Sequence, residues 1–166
     1  MGGYNSTRWA NHHKKTRVED CVGLEVNGLL DALGREMLSR PRKGGRSIAW
    51  TDEYSGLTAG AYVEYDSSGA FTVLRLIYRA YGWDGTPNEV VVKVELTPTE
   101  TNFNGLRHWF SCPSCQSRVG KLYLPPGKLY FACRHCHDLT YRSAQTAHEP
   151  SVEDRLQRLE RHVAKL

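Results

Sequence analysis

No run of apolar residues in this 166-residue chain approaches the roughly 18 to 20 that a membrane-spanning helix requires. The opening Met1-Gly2-Gly3-Tyr4-Asn5 lacks the apolar core of a secretory signal, so a cytoplasmic protein is expected. Signatures of the common enzyme classes are missing as well: there is no H-E-x-x-H, no P-loop, no G-x-G-x-x-G and no G-x-S-x-G. Asp138 is the only carboxylate between residues 105 and 147. Metal-assisted nuclease chemistry there would rest on the single weak pair His137-Asp138, and it needs at least two convergent acids or a His with an acid. The chain is therefore expected not to be an enzyme. With 40% hydrophobic and 24% charged residues it is neither disordered nor collagen-like, and its length suits one small domain with an appended module.

What is present is unevenly distributed. Residues 1–104 carry 12 basic and 13 acidic side chains, residues 105–147 carry 6 and 1, and residues 148–166 carry 4 and 4. The net charge of +4 thus belongs to the segment that also holds four of the five cysteines. An odd cysteine count with four crowded into residues 112–136 points to a metal site and away from a secreted disulfide framework.

Along the chain, residues 1–15 are polar, Gly-containing and without apolar period, as in a flexible arm. Thr16-Arg17-Val18-Glu19 fits a capping box that starts a helix near Arg17. Val18, Cys21, Val22, Leu29, Leu33 and Met37 keep an approximate helical period, but Gly23 and Gly28 favour two short helices over one long one. Plain packing is the first reading of that pair and a helix-turn-helix the second; Cys21 reads as a small buried hydrophobe. Arg40-Pro41-Arg42-Lys43-Gly44-Gly45-Arg46 is expected to be a loop, either simply solvated or contacting phosphate through Arg40, Arg42, Lys43 and Arg46. Strands are expected over Thr58–Tyr65, Ala70–Arg79 and Glu89–Leu96, joined by a turn at 66–69 and a loop at 81–88. After Glu149-Pro150-Ser151, Val152, Leu156, Leu159 and Val163 make a heptad seam on a C-terminal helix, which would dock on the β layer or recruit a partner or a second copy. The expected architecture is small α+β: a flexible arm (1–15), N-terminal helices with an antiparallel β meander (16–104), a four-cysteine zinc ribbon (105–147) and a C-terminal amphipathic helix (148–166).

Cys112-Pro113-Ser114-Cys115 and Cys133-Arg134-His135-Cys136 are two C-x-x-C knuckles 17 residues apart. Two thiolates in one tight turn can meet an ion from one side, and a second pair closes a tetrahedron. Between them Val119–Leu124 reads as a strand, Pro125-Pro126-Gly127-Lys128 as a type II turn, and Leu129–Ala132 as the returning strand, which carries the second knuckle back over the first. One structural Zn2+ on Cys112, Cys115, Cys133 and Cys136 is expected, with no open position for catalysis. Cys133-Arg134-His135-Cys136-His137 also matches a haem-attachment pattern and a redox C-x-x-C, but a second knuckle is available and no βαβ context is present. His135 or His137 remains an alternative ligand.

Leu96-Thr97-Pro98, Phe103-Asn104-Gly105, Trp109-Phe110-Ser111-Cys112-Pro113-Ser114-Cys115 and Cys133-Arg134-His135-Cys136-His137-Asp138-Leu139-Thr140-Tyr141-Arg142-Ser143 together form a pattern over residues 96–145. It resembles a family of zinc-ribbon proteins met in bacterial chromosomes, prophages and other mobile elements, to which no common biochemical activity attaches. The resemblance implies zinc and a ribbon. Gln116 and Asn104 stand where such ribbons carry Gly, so Gln116 has to accept a backbone conformation that favours glycine.

Two functions remain. In the first, an accessory protein binds nucleic acid through Arg107, Arg118, Lys121, Lys128, Arg134 and Arg142, interleaved with Trp109, Tyr123, Tyr130, Phe131 and Tyr141 for stacking. Phe110, Leu122 and Phe131 are reserved for the ribbon's own core. In the second, an adaptor or inhibitor engages a protein through the ribbon, a β edge and the C-terminal helix. Four bound thiolates and a divalent ion carry −2 between them, which lowers the +5 of the ribbon segment to +3.

Overall fold

Residues 58–100 alternate apolar and polar, and because successive strand residues point to opposite faces, such a segment pairs into a sheet with one buried side. The computed structural model describes residues 15–52, 56–102, 105–146 and 156. In chain order these form β1 (Val22–Glu25), α1 (Val26–Leu33), β2 (Lys43–Thr51), β3 (Thr58–Asp66), β4 (Thr72–Tyr81), β5 (Pro87–Glu100), β6 (Leu106–Ser111), β7 (Arg118–Val119), β8 (Lys121–Leu124) and α2 (Arg142–Thr146). Strands β2 to β7 make one antiparallel sheet in sequence order, and β1 pairs with β8 in a second, two-stranded one.

The expected alternation holds on β4, where Leu74, Leu76 and Tyr78 are buried while Arg75 and Arg79 are exposed. With Val63, Val92, Val94, Leu96 and Phe110 they form the inner face of the large sheet. Covering it is α1, whose Val26, Leu29, Leu30 and Leu33 recur at i, i+3, i+4 and i+7 and are all buried. Leu24 of β1, Leu122 of β8 and Phe131 close the same cluster from the ribbon side. Phe110, Leu122 and Phe131 are thus core residues, but of one core shared by sheet and ribbon.

The α+β expectation is corrected: the described residues are mostly β, with 48% strand against 16% helix. The pair of helices expected from Arg17 onward does not form. Val18–Asp20 is a single 3-10 turn, and residues 22–25 become β1 because Val22 and Leu24 align with Leu124 and Leu122 across the pair. Gly23, which argued for a helix break, sits where a Cβ would overlap Lys121 and Asp52. Long-range pairing therefore overrides the approximate helical period. The capping box is not formed either: Arg17 occupies the cap without a side-chain capping bond, and the Glu19 carboxylate instead accepts the Arg142 N–H, 3.1 Å away, at the start of α2.

The expected loop 40–46 is regular from Lys43 onward, as the start of β2. Gly44 and Gly45 are tolerated in that strand because the Tyr65 and Tyr62 rings of β3 lie where their side chains would be. The C-terminal helix expected over 148–166, with Val152, Leu159 and Val163, lies outside the described residues except for Leu156, which is exposed, and is not supported as part of the fold. Of the expected arm only Lys15 is described; it pairs with Asp138 at 2.5 Å. Among the described residues no helix is long and apolar enough to cross a membrane.

Candidate metal centre and basic groove

β6 ends at Ser111 and delivers Cys112 off the edge of the large sheet. The first knuckle then closes on its own backbone: Cys112 N–H donates to Ser117 O at 3.0 Å and Gln116 N–H to Cys112 O at 2.8 Å. The turn needs a left-handed residue at Gln116, whose φ is 59°. The chain returns as β7 against β6, switches sheets at Gly120, and continues as β8 against β1, so the single strand expected over 119–124 is two. Pro125–Lys128 forms the expected turn, with Gly127 at φ 73° and Lys128 N–H on Pro125 O at 3.1 Å. Tyr123 and Ala132 exchange both backbone bonds, at 2.8 and 3.1 Å, and so register Cys133 under the first knuckle.

The four sulfurs lie within 4.8 Å of one another. Cys112 Sγ is 3.9 Å from Cys136 Sγ, and Cys115 Sγ is 3.7 Å from Cys133 Sγ. A tetrahedron with about 2.3 Å metal–sulfur bonds has edges of about 3.8 Å, which those two distances match, so the set is of the size that one tetrahedral ion needs. Backbone amides support it, with Cys133 N–H directed at Cys112 Sγ (3.3 Å) and Cys136 N–H at Cys133 Sγ (3.5 Å). Bonds from the Ser117 side chain and amide hold the Cys115 thiol down at about 6, whereas burial and the neighbouring sulfurs push Cys136 up to about 12. Cys112 and Cys133 are buried in the main core, and Cys115 and Cys136 are exposed. The imidazoles stand apart from the four sulfurs: His137 Nε2 lies 3.1 Å from Tyr130 O, and His135 is exposed beside Arg134. These four cysteines, two of them buried in the core, could hold one metal ion.

The cationic residues named from the sequence fall into separate settings. Arg107 places its guanidinium 4.2 Å from the Trp109 ring centre, and Arg134 lies 5.0 Å from that of Tyr141. Lys121 lies 5.7 Å from the Tyr123 ring, but its ammonium is 2.5 Å from the buried Asp52 carboxylate. Arg118 on β7 and Lys128 in the hairpin turn are exposed, as is Tyr130. Arg142 begins α2. The other cluster lies along the opposite edge of the sheet, where Arg46 donates to Ala32 O (2.8 Å), Lys43 pairs with Asp66 (2.8 Å), and Arg40 and Arg42 are exposed.

Between β6, the β7–β8 junction and the 18–27 segment runs a groove of about 400 Å³. Arg107, Trp109, Lys121, Tyr123 and Tyr141 line it from the ribbon side, and Glu19, Glu25 and Asn27 from the other. Trp109 is fixed in it, its Nε1–H donating to Thr99 Oγ1 at 2.9 Å. Asp52 and the groove's Glu25 and Asn27 carry no sequence signal, and Glu19 signalled only a helix cap, because the β1–β8 pairing that brings them to the ribbon joins segments about a hundred residues apart.

Compared with protein-family models, with curated proteins and with solved structures, the chain has no match.

Proposed function

We propose that this chain is a zinc-dependent, non-catalytic accessory protein that binds nucleic acid, of the kind carried by phages and other mobile elements. The observation that carries the reading is the pairing of cations with aromatic rings beside the knuckles: Arg107 with Trp109, and Arg134 with Tyr141. Guanidinium planes and aromatic faces both stack on bases, and their charge favours phosphate. Exposed Arg118 and Lys128 extend the positive surface along the same ribbon. Zinc is the ion that four thiolates at tetrahedral spacing suit best, and a closed site of this kind is structural. The mobile-element assignment draws on the resemblance of residues 96–145.

Affinity for a mixed-sequence oligonucleotide, measured by anisotropy over a salt series, tests the reading. Neutralising several phosphates makes affinity fall steeply with salt, and Arg118→Glu with Lys128→Glu and Arg134→Glu should remove binding while metal content stays unchanged. Lys121 is left out of that set because reversing it would bury two like charges at Asp52. No binding by the unaltered chain at low salt would refute the reading.

A protein-binding alternative has one observation in its favour. Tyr62, Ile77 and Val91 align in one row across β3, β4 and β5, and Tyr62 and Val91 are 44% and 49% exposed. Contacts through such a row would be nearly indifferent to salt.

A further inference from the structure

We propose that the groove beside Trp109 receives a single unpaired base, so that the nucleic acid this protein takes is single-stranded; the inference rests on the nucleic-acid reading above. Three features of the groove select a base over a phosphate and a strand over a duplex.

The first is shape. A volume of about 400 Å³ is that of a small-ligand pocket, large enough to take a flat ring. The second is the wall chemistry on the ribbon side. Trp109, Tyr123 and Tyr141 present three rings, and Trp109 carries the Arg107 guanidinium on its face, a laminate on which a base can stack. Trp109 is pre-set by its bond to Thr99, and its ring lies 3.7 Å from where a side chain on Gly120 would begin, so the platform is fixed on that side. The third is charge. Glu19 and Glu25 on the facing wall offset Arg107 and Lys121, so the groove offers a phosphodiester no net positive charge, whereas a carboxylate accepts hydrogen bonds from the N–H groups of a base. The base therefore enters and its phosphates stay outside. A base in a duplex is stacked on its neighbours and has its Watson–Crick edge engaged by its complement, so it cannot enter without leaving the stack.

Two measurements on the metal-loaded full chain test this. In the first, a mixed-sequence oligonucleotide is compared as a single strand and annealed to its complement. The single strand should bind at least ten-fold more tightly, and Tyr141→Ala should abolish most of that preference while Tyr141→Phe keeps it. Tyr141 is 44% exposed, so truncating it spares the core. In the second, the indole N–H resonance of Trp109, assigned by its loss in Trp109→Phe, is followed while a free nucleoside is added; it should shift and saturate. Equal affinity for both forms, or a preference untouched by Tyr141→Ala, overturns the base pocket, as does an unmoved Trp109 resonance. Salt-dependent duplex binding with no Trp109 shift would sink this inference and leave the nucleic-acid reading standing. A Trp109 shift without binding of any oligonucleotide would sink the nucleic-acid reading and the single-strand inference with it.

Discussion

The Lys121 ammonium sits 2.5 Å from the Asp52 carboxylate, with the two side chains only 21% and 3% exposed. Gly23 lies against both, and Trp50 Nε1–H donates to Gly23 O at 2.8 Å, so this pair pins β1, β2 and β8 together under α1. Removing one partner takes the ion pair away from a charge that is mostly buried. Lys121→Met should therefore cost about 3 kcal/mol or more in urea unfolding of the metal-loaded protein, and adding Asp52→Leu should recover part of it. Additive losses in the double variant would show that the two groups do not interact.

Cys112 and Cys133 belong to the main hydrophobic cluster, so an ion held by the four cysteines would be held by residues that also close the core. Metal analysis should find about one zinc per chain. Cys112→Ser with Cys133→Ser should lose it and lower thermal stability together, and a strong chelator should do the same to the unaltered chain. A stable fold with the metal removed would separate site from core.

Gln116 holds a φ of 59°, where an L side chain is disfavoured, and its side chain is exposed. Gln116→Gly should stabilise the knuckle by about 1 kcal/mol, read as a higher unfolding midpoint at constant metal content. No gain would mean that the Gln116 side chain supports the turn by other contacts.

Cys21 is completely buried, and its thiol is pushed up to about 12, first by burial and then by Asp20, Asp52 and Glu19. Burial does the same to the Tyr123 hydroxyl packed against it, also up to about 12. Both groups are neutral acids whose folded pKa exceeds the unfolded one, so the folded chain holds these protons more tightly. Their contribution is intact below about pH 9 and is lost as pH climbs through about 12. Urea midpoints should fall across that window, and Cys21→Ala should make the fall shallower by one proton. The same burial predicts that iodoacetamide leaves Cys21 unmodified in the native protein at neutral pH.

The residues that carry local chemistry were legible in the sequence. Two C-x-x-C knuckles at a hairpin's separation named the four cysteines that come together, since residue type and spacing are properties of short segments. A Pro-Pro-Gly-Lys turn and the strands between 58 and 96 were equally plain, because turn conformation and period-two alternation are also local. Even the strain at Gln116 could be read from a missing glycine. Residues 17–25 show the opposite case. Their spacing suited a helix as well as a strand, and what decided was a partner a hundred residues away, Leu122 and Leu124, which no local pattern announces. The same pairing set Asp52 against Lys121, removed one cation from the exposed positive surface, and brought Glu19, Glu25 and Asn27 to face Trp109. Spacing along the chain thus determined the metal site, because thiolates three residues apart meet one ion wherever the turn is placed. Only the tertiary structure decided which charges are exposed and where a groove opens, because both depend on side chains that meet solely through the β1–β8 pairing.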